Sequence, residues 1–154
     1  MKIAKTIGVI LGCLLTLLII LAPIGPVPGF FIGGTATEVP ATWPDTSGVD
    51  EIELQVPGTP PRAVIIWVID FEAELYIVGR SESTWVNMIG QTAPVKMRLG
   101  ENTYSLTASL VQTGWEPMMK AYVDKYEPDY PGIIAGLPAV GEAMGKIAVF
   151  KLSR

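Results

Sequence analysis

Alternation of polar and apolar residues predicts a series of short β-strands in the chain beyond residue 50. The stretch EIELQV, residues 51–56, alternates with a period of two, which is typical of a half-buried strand. Glycine, proline and charged residues separate several such stretches and predict turns between neighbouring antiparallel strands. Strands are predicted at residues 51–56, 62–69, 75–78, 94–99, 103–111 and 146–152.

Helical periodicity is confined to short segments between these strands. Residues 84–89 predict a helix that ends at Gly90, with Ser81 or Ser83 as its N-cap. Residues 115–126 have the helical spacing of apolar positions, and residues 133–144 predict a loop or a short helix. Six strands with two or three short helices predict a mainly β (α+β) domain, a split antiparallel β-barrel.

An uncharged, strongly apolar segment precedes the domain. The run from Ile7 to Ile24 is long enough for a transmembrane helix. Lys2 and Lys5 precede it and acidic residues follow it, so the positive-inside rule predicts a single-pass protein with a cytoplasmic N-terminus and an extracytoplasmic domain. The lipid bilayer is then a partner of this helix. A cleaved signal peptide is the alternative.

Three regions follow from these patterns. Residues 1–32 predict the membrane anchor. Residues 33–49 are rich in Gly, Pro, Thr and Ser and predict a linker or a loop that follows the barrel. Residues 50–154 predict the split-barrel domain.

Composition narrows the chemistry available to this domain. The chain has no histidine, and its one cysteine, Cys13, lies in the apolar segment, so imidazole triads and cysteine zinc sites are excluded. The net charge is −4 and no basic cluster occurs, which argues against nucleic acid as a partner. No metal site is predicted.

Three segments in order resemble the deazaflavin-dependent nitroreductase family, a branch of the split-barrel flavin-binding fold. They are GRSESTWVN at 79–87, APVKMRLG at 93–100 and AYVDKYEPDY at 121–130. The resemblance covers roughly residues 50–152. It implies a deazaflavin coenzyme or flavin mononucleotide (FMN) bound in a cleft, often at a dimer interface, and therefore allows a homodimer.

The resemblance implies hydride transfer from the reduced cofactor to a small or lipophilic acceptor such as a quinone. It places Tyr126 and Tyr130 as catalytic proton donors. Each candidate also has an ordinary structural interpretation, such as helix capping, packing or a solvated strand face. The expected cofactor-binding residues are Arg62, Arg80, Ser81, Ser83, Trp85, Lys96 and Arg98.

A second interpretation keeps the barrel but not the activity. The turn at residues 57–61, PGTPP, contains three prolines, and proline lacks the N–H that a phosphate would need. A non-enzymatic extracytoplasmic binding or accessory domain, without the cofactor phosphate site, is therefore the alternative function.

Overall fold

The structure is a computed structural model that describes residues 2–25, 27–143 and 145–154, without the side chains of residues 2–4 and 17–20. The described helices are α1 (Lys2–Leu21), α2 (Thr84–Ile89), α3 (Glu116–Tyr126), α4 (Pro131–Ile134) and a 3-10 helix at Val140–Glu142. The described strands are β1 (Thr35–Ala36), β2 (Glu51–Val56), β3 (Arg62–Phe71), β4 (Glu74–Arg80), β5 (Thr92–Leu99), β6 (Asn102–Leu110) and β7 (Ile147–Ser153).

The six strands β2 to β7 form a closed antiparallel barrel in the order β6-β5-β2-β3-β4-β7, which closes through pairing of β6 with β7. The two-residue strand β1 adds to β6 in parallel at Asn102 and Thr103. This confirms the mainly β fold with a few helices.

Alternation along the strands produces two apolar cores. Ile52, Leu54 and Val56 of β2 are almost fully buried in one core, together with the alternate residues of β5, β6 and β7. A second core lies where Trp67 and Ile69 of β3 meet α3 and α4. The barrel therefore has one inner core, and the helices cover part of its outside.

The β3–β4 hairpin is longer than the pattern predicted. The predicted turn covered residues 70–74, but Asp70 pairs with Leu75 and Phe71 with Glu74. Glu72 and Ala73 form the turn alone, with φ values of 54° and 61°. A two-residue turn with positive φ at both positions matches the twist of the strands that it joins. The strands can therefore continue to the turn, and they include the charged residues Asp70 and Glu74.

Helix α1 forms where the membrane anchor was predicted. Among the residues that the structure describes, no helix is long and apolar enough to cross a membrane, so the predicted transmembrane helix is not confirmed.

The chain beyond α1 runs along the barrel. Gly29 forms a β-bridge with Ala63, and the side chain of Ile32 is buried. Further along, the Trp43 ring packs edge-on against Tyr104, with ring centroids 5.2 Å apart. Of these contacts, only that of Trp43 lies in residues 33–49, where a linker or a loop that follows the barrel was expected.

Candidate functional site

A groove beside the first turn of α2 brings together Arg62, Ser83 and Trp85, three of the expected cofactor-binding residues. We call it the Arg62 groove. Its volume is about 250 Å³. The turn after α1, strand β3 and the start of α2 line it, through Gly25, Pro28, Arg62, Val64, Ile65, Ile66, Ser83, Thr84 and Trp85.

Arg62 is the first residue of β3, opposite Val56 of β2. Its Nε is buried and has no hydrogen-bond partner among the described residues. A buried donor without a partner is costly, and such donors are rare in folded proteins. An anion that reached Nε would remove that cost, and Arg62 is the cation among the described residues that line this groove.

Helix α2 supplies the polar and aromatic side of the groove. Ser83 stands at the N-cap position, but its side chain makes no capping hydrogen bond. The expected capping role of the Ser83 hydroxyl is therefore absent, and this hydroxyl remains open to a ligand. Trp85 is 8% exposed and packs between strand β4 and the Phe150 ring, whose centroid is 6.0 Å away.

Gly79 makes the position of Trp85 possible. A Cβ atom on Gly79 would collide with the Trp85 indole and would lie 2.8 Å from Cγ2 of Val86. Because glycine has no side chain, α2 can lie directly on the β4 backbone. The GRSESTWVN motif thus sets the aromatic wall of the groove.

Arg80 and Ser81, two further expected cofactor-binding residues, lie outside the Arg62 groove. The Arg80 side chain is exposed, and its Nε donates to Oε1 of Glu82 at 2.7 Å. The Ser81 N–H donates to the Lys146 carbonyl, and Ser81 lines a different, largely apolar cavity of about 390 Å³ between α2 and β7. Neither residue lines the Arg62 groove.

Lys96 and Arg98 lie on one face of β5 but have different surroundings. Nη1 of Arg98 pairs with Oε1 of Glu53 at 3.2 Å, and its Nε donates to the Gly100 carbonyl. The pairing of β5 with β2 places Glu53 directly opposite Arg98. Arg98 is therefore occupied by protein contacts, whereas Lys96 is exposed and lines another groove.

Tyr126, an expected proton donor, is fully buried. Its hydroxyl accepts a hydrogen bond from the Val68 N–H at 3.1 Å, and it can donate to the carbonyl of Val68 at 2.6 Å or of Asp50 at 2.8 Å. The ring stacks on Trp67 with centroids 4.3 Å apart. Burial raises the pKa of Tyr126 well above its usual range. This geometry favours a structural role.

Tyr130, the other expected donor, lies at the edge of the same aromatic cluster. Its hydroxyl donates to Oδ2 of Asp50 at 3.2 Å, and the Trp67 ring centroid is 4.8 Å from its own. The negative charge of Asp50 raises the pKa of Tyr130, because an ionised phenol would be repelled. Neither tyrosine lines the Arg62 groove.

Lys125 was not among the expected site residues, although it directly precedes Tyr126 in sequence. Its ammonium donates to the carbonyls of Thr46 at 3.2 Å, Val49 at 2.6 Å and Val68 at 3.0 Å. Burial lowers the pKa of Lys125, and the charges of Asp50 and Asp70 oppose that effect. Lys125 of α3 therefore links, through hydrogen bonds, the loop before β2 to strand β3. No local pattern indicates this role, because all three acceptors are distant backbone atoms.

A comparison with a solved structure at a TM-score of 0.50 supports the barrel fold. A protein from Jannaschia sp., provisionally named general stress protein 26, aligns over 70% of this chain and 67% of its own, with 9% identity and a TM-score of 0.50. A NimC/NimA family protein from Clostridium acetobutylicum aligns over 67% and 73%, with 16% identity and a TM-score of 0.47. An FAD and heme binding protein from Mycobacterium smegmatis aligns over 70% and 62%, with 16% identity and a TM-score of 0.44.

At 9% identity, the likeness to the Jannaschia protein shows the fold alone. No protein-family model and no curated protein matches the sequence. The class that the structure defines is thus a six-stranded antiparallel β-barrel with a groove beside α2.

Proposed function

We propose that the Arg62 groove holds the phosphate of a flavin-type cofactor, either FMN or a deazaflavin coenzyme. The observation that carries the proposal is the buried Nε of Arg62, which has no partner among the described residues. A phosphate oxygen would supply that partner, and a hydrogen bond between two charged groups is stronger than a neutral one.

The other groove residues fit a phosphate-bearing chain. The Ser83 hydroxyl makes no capping bond, and Thr84 beside it also lines the groove. Sites for whole ligands usually have volumes of about 300–1,000 Å³, so a groove of about 250 Å³ suits the phosphate end rather than the entire cofactor. The cofactor ring would then lie outside the groove, at its rim.

The reaction proposed for this site is reduction of a small or lipophilic acceptor, such as a quinone. When bound, the cofactor supplies the hydride, and the protein contributes position and charge. Arg62 would bind and orient the cofactor. The residues described along the groove include no carboxylic acid, lysine or tyrosine that could hold a proton.

The lack of an acid among those lining residues favours a second function. In that alternative the protein is a binding or accessory domain that keeps the groove without catalysing reduction. Tyr126 supports it, because its hydroxyl is engaged by backbone atoms of β3 and of Asp50.

Titration of the purified chain with FMN and with a deazaflavin coenzyme tests the proposal. We expect saturable binding of one of them, and Arg62→Gln should weaken it about tenfold to a hundredfold, the effect of one charge-assisted hydrogen bond. Arg80→Gln is the matched control: its exposed side chain pairs with Glu82, so affinity should hardly change. Absence of binding of both cofactors at millimolar concentration would reject the flavin site.

Cofactor-loaded protein separates the two functions. Reduction of a quinone by protein carrying the reduced cofactor supports the oxidoreductase. Binding that depends on Arg62 but gives no turnover with a panel of quinones and nitro compounds supports the accessory domain.

A further inference from the structure

A second groove lies on the outer face of β2, β5 and β6. We call it the Lys96 groove, after the exposed lysine in its floor. Its volume is about 440 Å³, within the range of about 300–1,000 Å³ found for ligand sites. It shares no lining residue with the Arg62 groove.

Strand register places a row of polar side chains across the floor. Lys96 of β5 is paired with Gln55 of β2 on one side and with Ser105 of β6 on the other. Thr107 lies two residues further along β6 and lines the same groove. Because side chains alternate between faces, Ser105 and Thr107 project from the same side of the strand. The floor thus offers an ammonium, an amide and two hydroxyl groups.

Arg154 adds a second positive charge to this groove. Its Nη2 donates to the carbonyls of Pro40 at 2.8 Å and Ala41 at 2.7 Å, which holds the guanidinium in place. Nε and Nη1 make no hydrogen bond to the described residues, and neither Arg154 nor Lys96 forms an ion pair with one of them. Arg98 on the same strand differs, because Glu53 neutralises it. The chain as a whole is acidic, with a net charge of −4. Lys96 and Arg154 nevertheless place two cations without an ion pair to a described residue in one groove.

Proline rings form apolar walls around the charged floor. Pro57 and Pro61 come from the β2–β3 turn, and Pro94 lies on β5 beside Thr107. Proline has little conformational entropy to lose on binding, so such walls can contact an apolar body at low cost. A solvated strand face would lack this concavity.

From this combination we propose that the Lys96 groove binds a small organic carboxylate with an apolar body. The carboxylate would lie between Lys96 and Arg154 and accept single charge-assisted hydrogen bonds from the Lys96 ammonium and from Nε or Nη1 of Arg154, because both N–H groups of Nη2 already donate to backbone carbonyls. Ser105 would supply a neutral hydrogen bond, as would the one N–H of the Gln55 amide that does not donate to the Phe30 carbonyl. The prolines would contact the apolar part. This site is separate from the proposed cofactor groove and does not depend on it.

Titration of the purified 154-residue chain with benzoate, followed by amide chemical shifts, tests this site. Benzamide has the same shape without the charge, and inorganic phosphate has charge without the apolar body. We expect saturable shifts around residues 55, 96 and 105 with benzoate, and binding at least about tenfold weaker for benzamide and for phosphate. Lys96→Gln and Arg154→Gln should each weaken benzoate binding about tenfold or more.

Lys120→Gln is the matched control, because Lys120 is an exposed lysine of α3 that pairs with Asp124 outside this groove. It should leave benzoate affinity unchanged. Equal binding of benzoate and benzamide, equal binding of benzoate and phosphate, or full affinity in Lys96→Gln would each overturn the proposal. No flavin is present in the titration, so its result is independent of the test of Arg62.

Discussion

Three arginines of this chain show that a charged residue acquires its role from its neighbours. Arg80 pairs with Glu82 in solvent, and Arg98 pairs with Glu53 across two strands. Arg62 alone among the three has a buried nitrogen without a partner in the described part of the chain. The sequence presents all three as candidate cofactor-binding residues. Only the three-dimensional pairing leaves Arg62 available.

Tyr126 gives a prediction at the same scale. Tyr126→Phe removes the hydroxyl and leaves the Val68 N–H without that buried acceptor. The Val68 N–H keeps the Asp50 carbonyl as a more distant acceptor at 3.4 Å. We therefore expect the free energy of unfolding to fall by about 0.5–1.5 kcal/mol, the net contribution of a typical hydrogen bond. Cofactor affinity and turnover per folded molecule should remain unchanged. Urea unfolding and the flavin titration measure the two quantities.

Tyr130→Phe is the control for that substitution, because the Tyr130 hydroxyl bonds only the half-buried Asp50 carboxylate among the described residues. Its effect on stability should be smaller. A large loss of turnover in Tyr126→Phe with unchanged stability would contradict the structural role and restore the proton-donor hypothesis.

At the scale of elements, local patterns predicted most of the secondary structure. The pattern at 51–56 matched β2, and that at 84–89 matched α2, because alternation and capping signals act within a few residues. The parallel pairing of β1 with β6 was not predicted, since a two-residue strand has no detectable period. The Glu53–Arg98 pair and the Lys125 contacts depend on which strands become neighbours, which no local pattern specifies.

The contact between α2 and β4 gives the second prediction. Gly79→Ala introduces a methyl group against the Trp85 indole, and overpacking of this kind typically costs about 1–3 kcal/mol. We expect lower stability and an altered environment of Trp85, and therefore weaker binding in the Arg62 groove. Thermal unfolding and tryptophan fluorescence provide the measurements.

Gly132→Ala serves as the matched control for this element. A Cβ at Gly132 has no atom within 4 Å, and the residue lies in α4, where alanine is a better helix former. Its stability should be equal or higher. If Gly79→Ala is as stable as Gly132→Ala, then α2 does not rest on the β4 backbone as described.

For the whole molecule, buried tyrosines predict sensitivity to alkali. Burial raises the pKa of Tyr122 and Tyr126 above the value of about 10 expected in the unfolded chain. Their contribution to stability is therefore complete below pH 10 and decreases above it, as the unfolded phenols ionise. Lys125 changes the stability in the opposite direction. Because burial lowers its pKa, its effect makes the folded state more stable as the pH rises toward about 10.5, and above that pH its contribution is constant.

The melting temperature should therefore fall steeply between about pH 10 and pH 12. Tyr126→Phe lacks one of the two ionisations and should show a shallower decrease. Calorimetry of the unsubstituted protein and of Tyr126→Phe over that pH range measures both melting temperatures and tests this prediction. A melting temperature that does not change with pH there would mean that these phenols are not protected from ionisation in the folded state.

The closed ring of strands has a consequence for how fast the protein acquires its structure. Strand β7 pairs with β4, where Ile77 meets Phe150, and with β6, where Ala108 meets Leu152. Both pairings join residues that are far apart in sequence, so the ring cannot close until long stretches of chain have been ordered. Chains dominated by such distant contacts fold in milliseconds to seconds rather than microseconds. Until β7 has paired, the edges of β4 and β6 that it covers have unpaired backbone groups. Partly folded chains can then associate with one another through these edges.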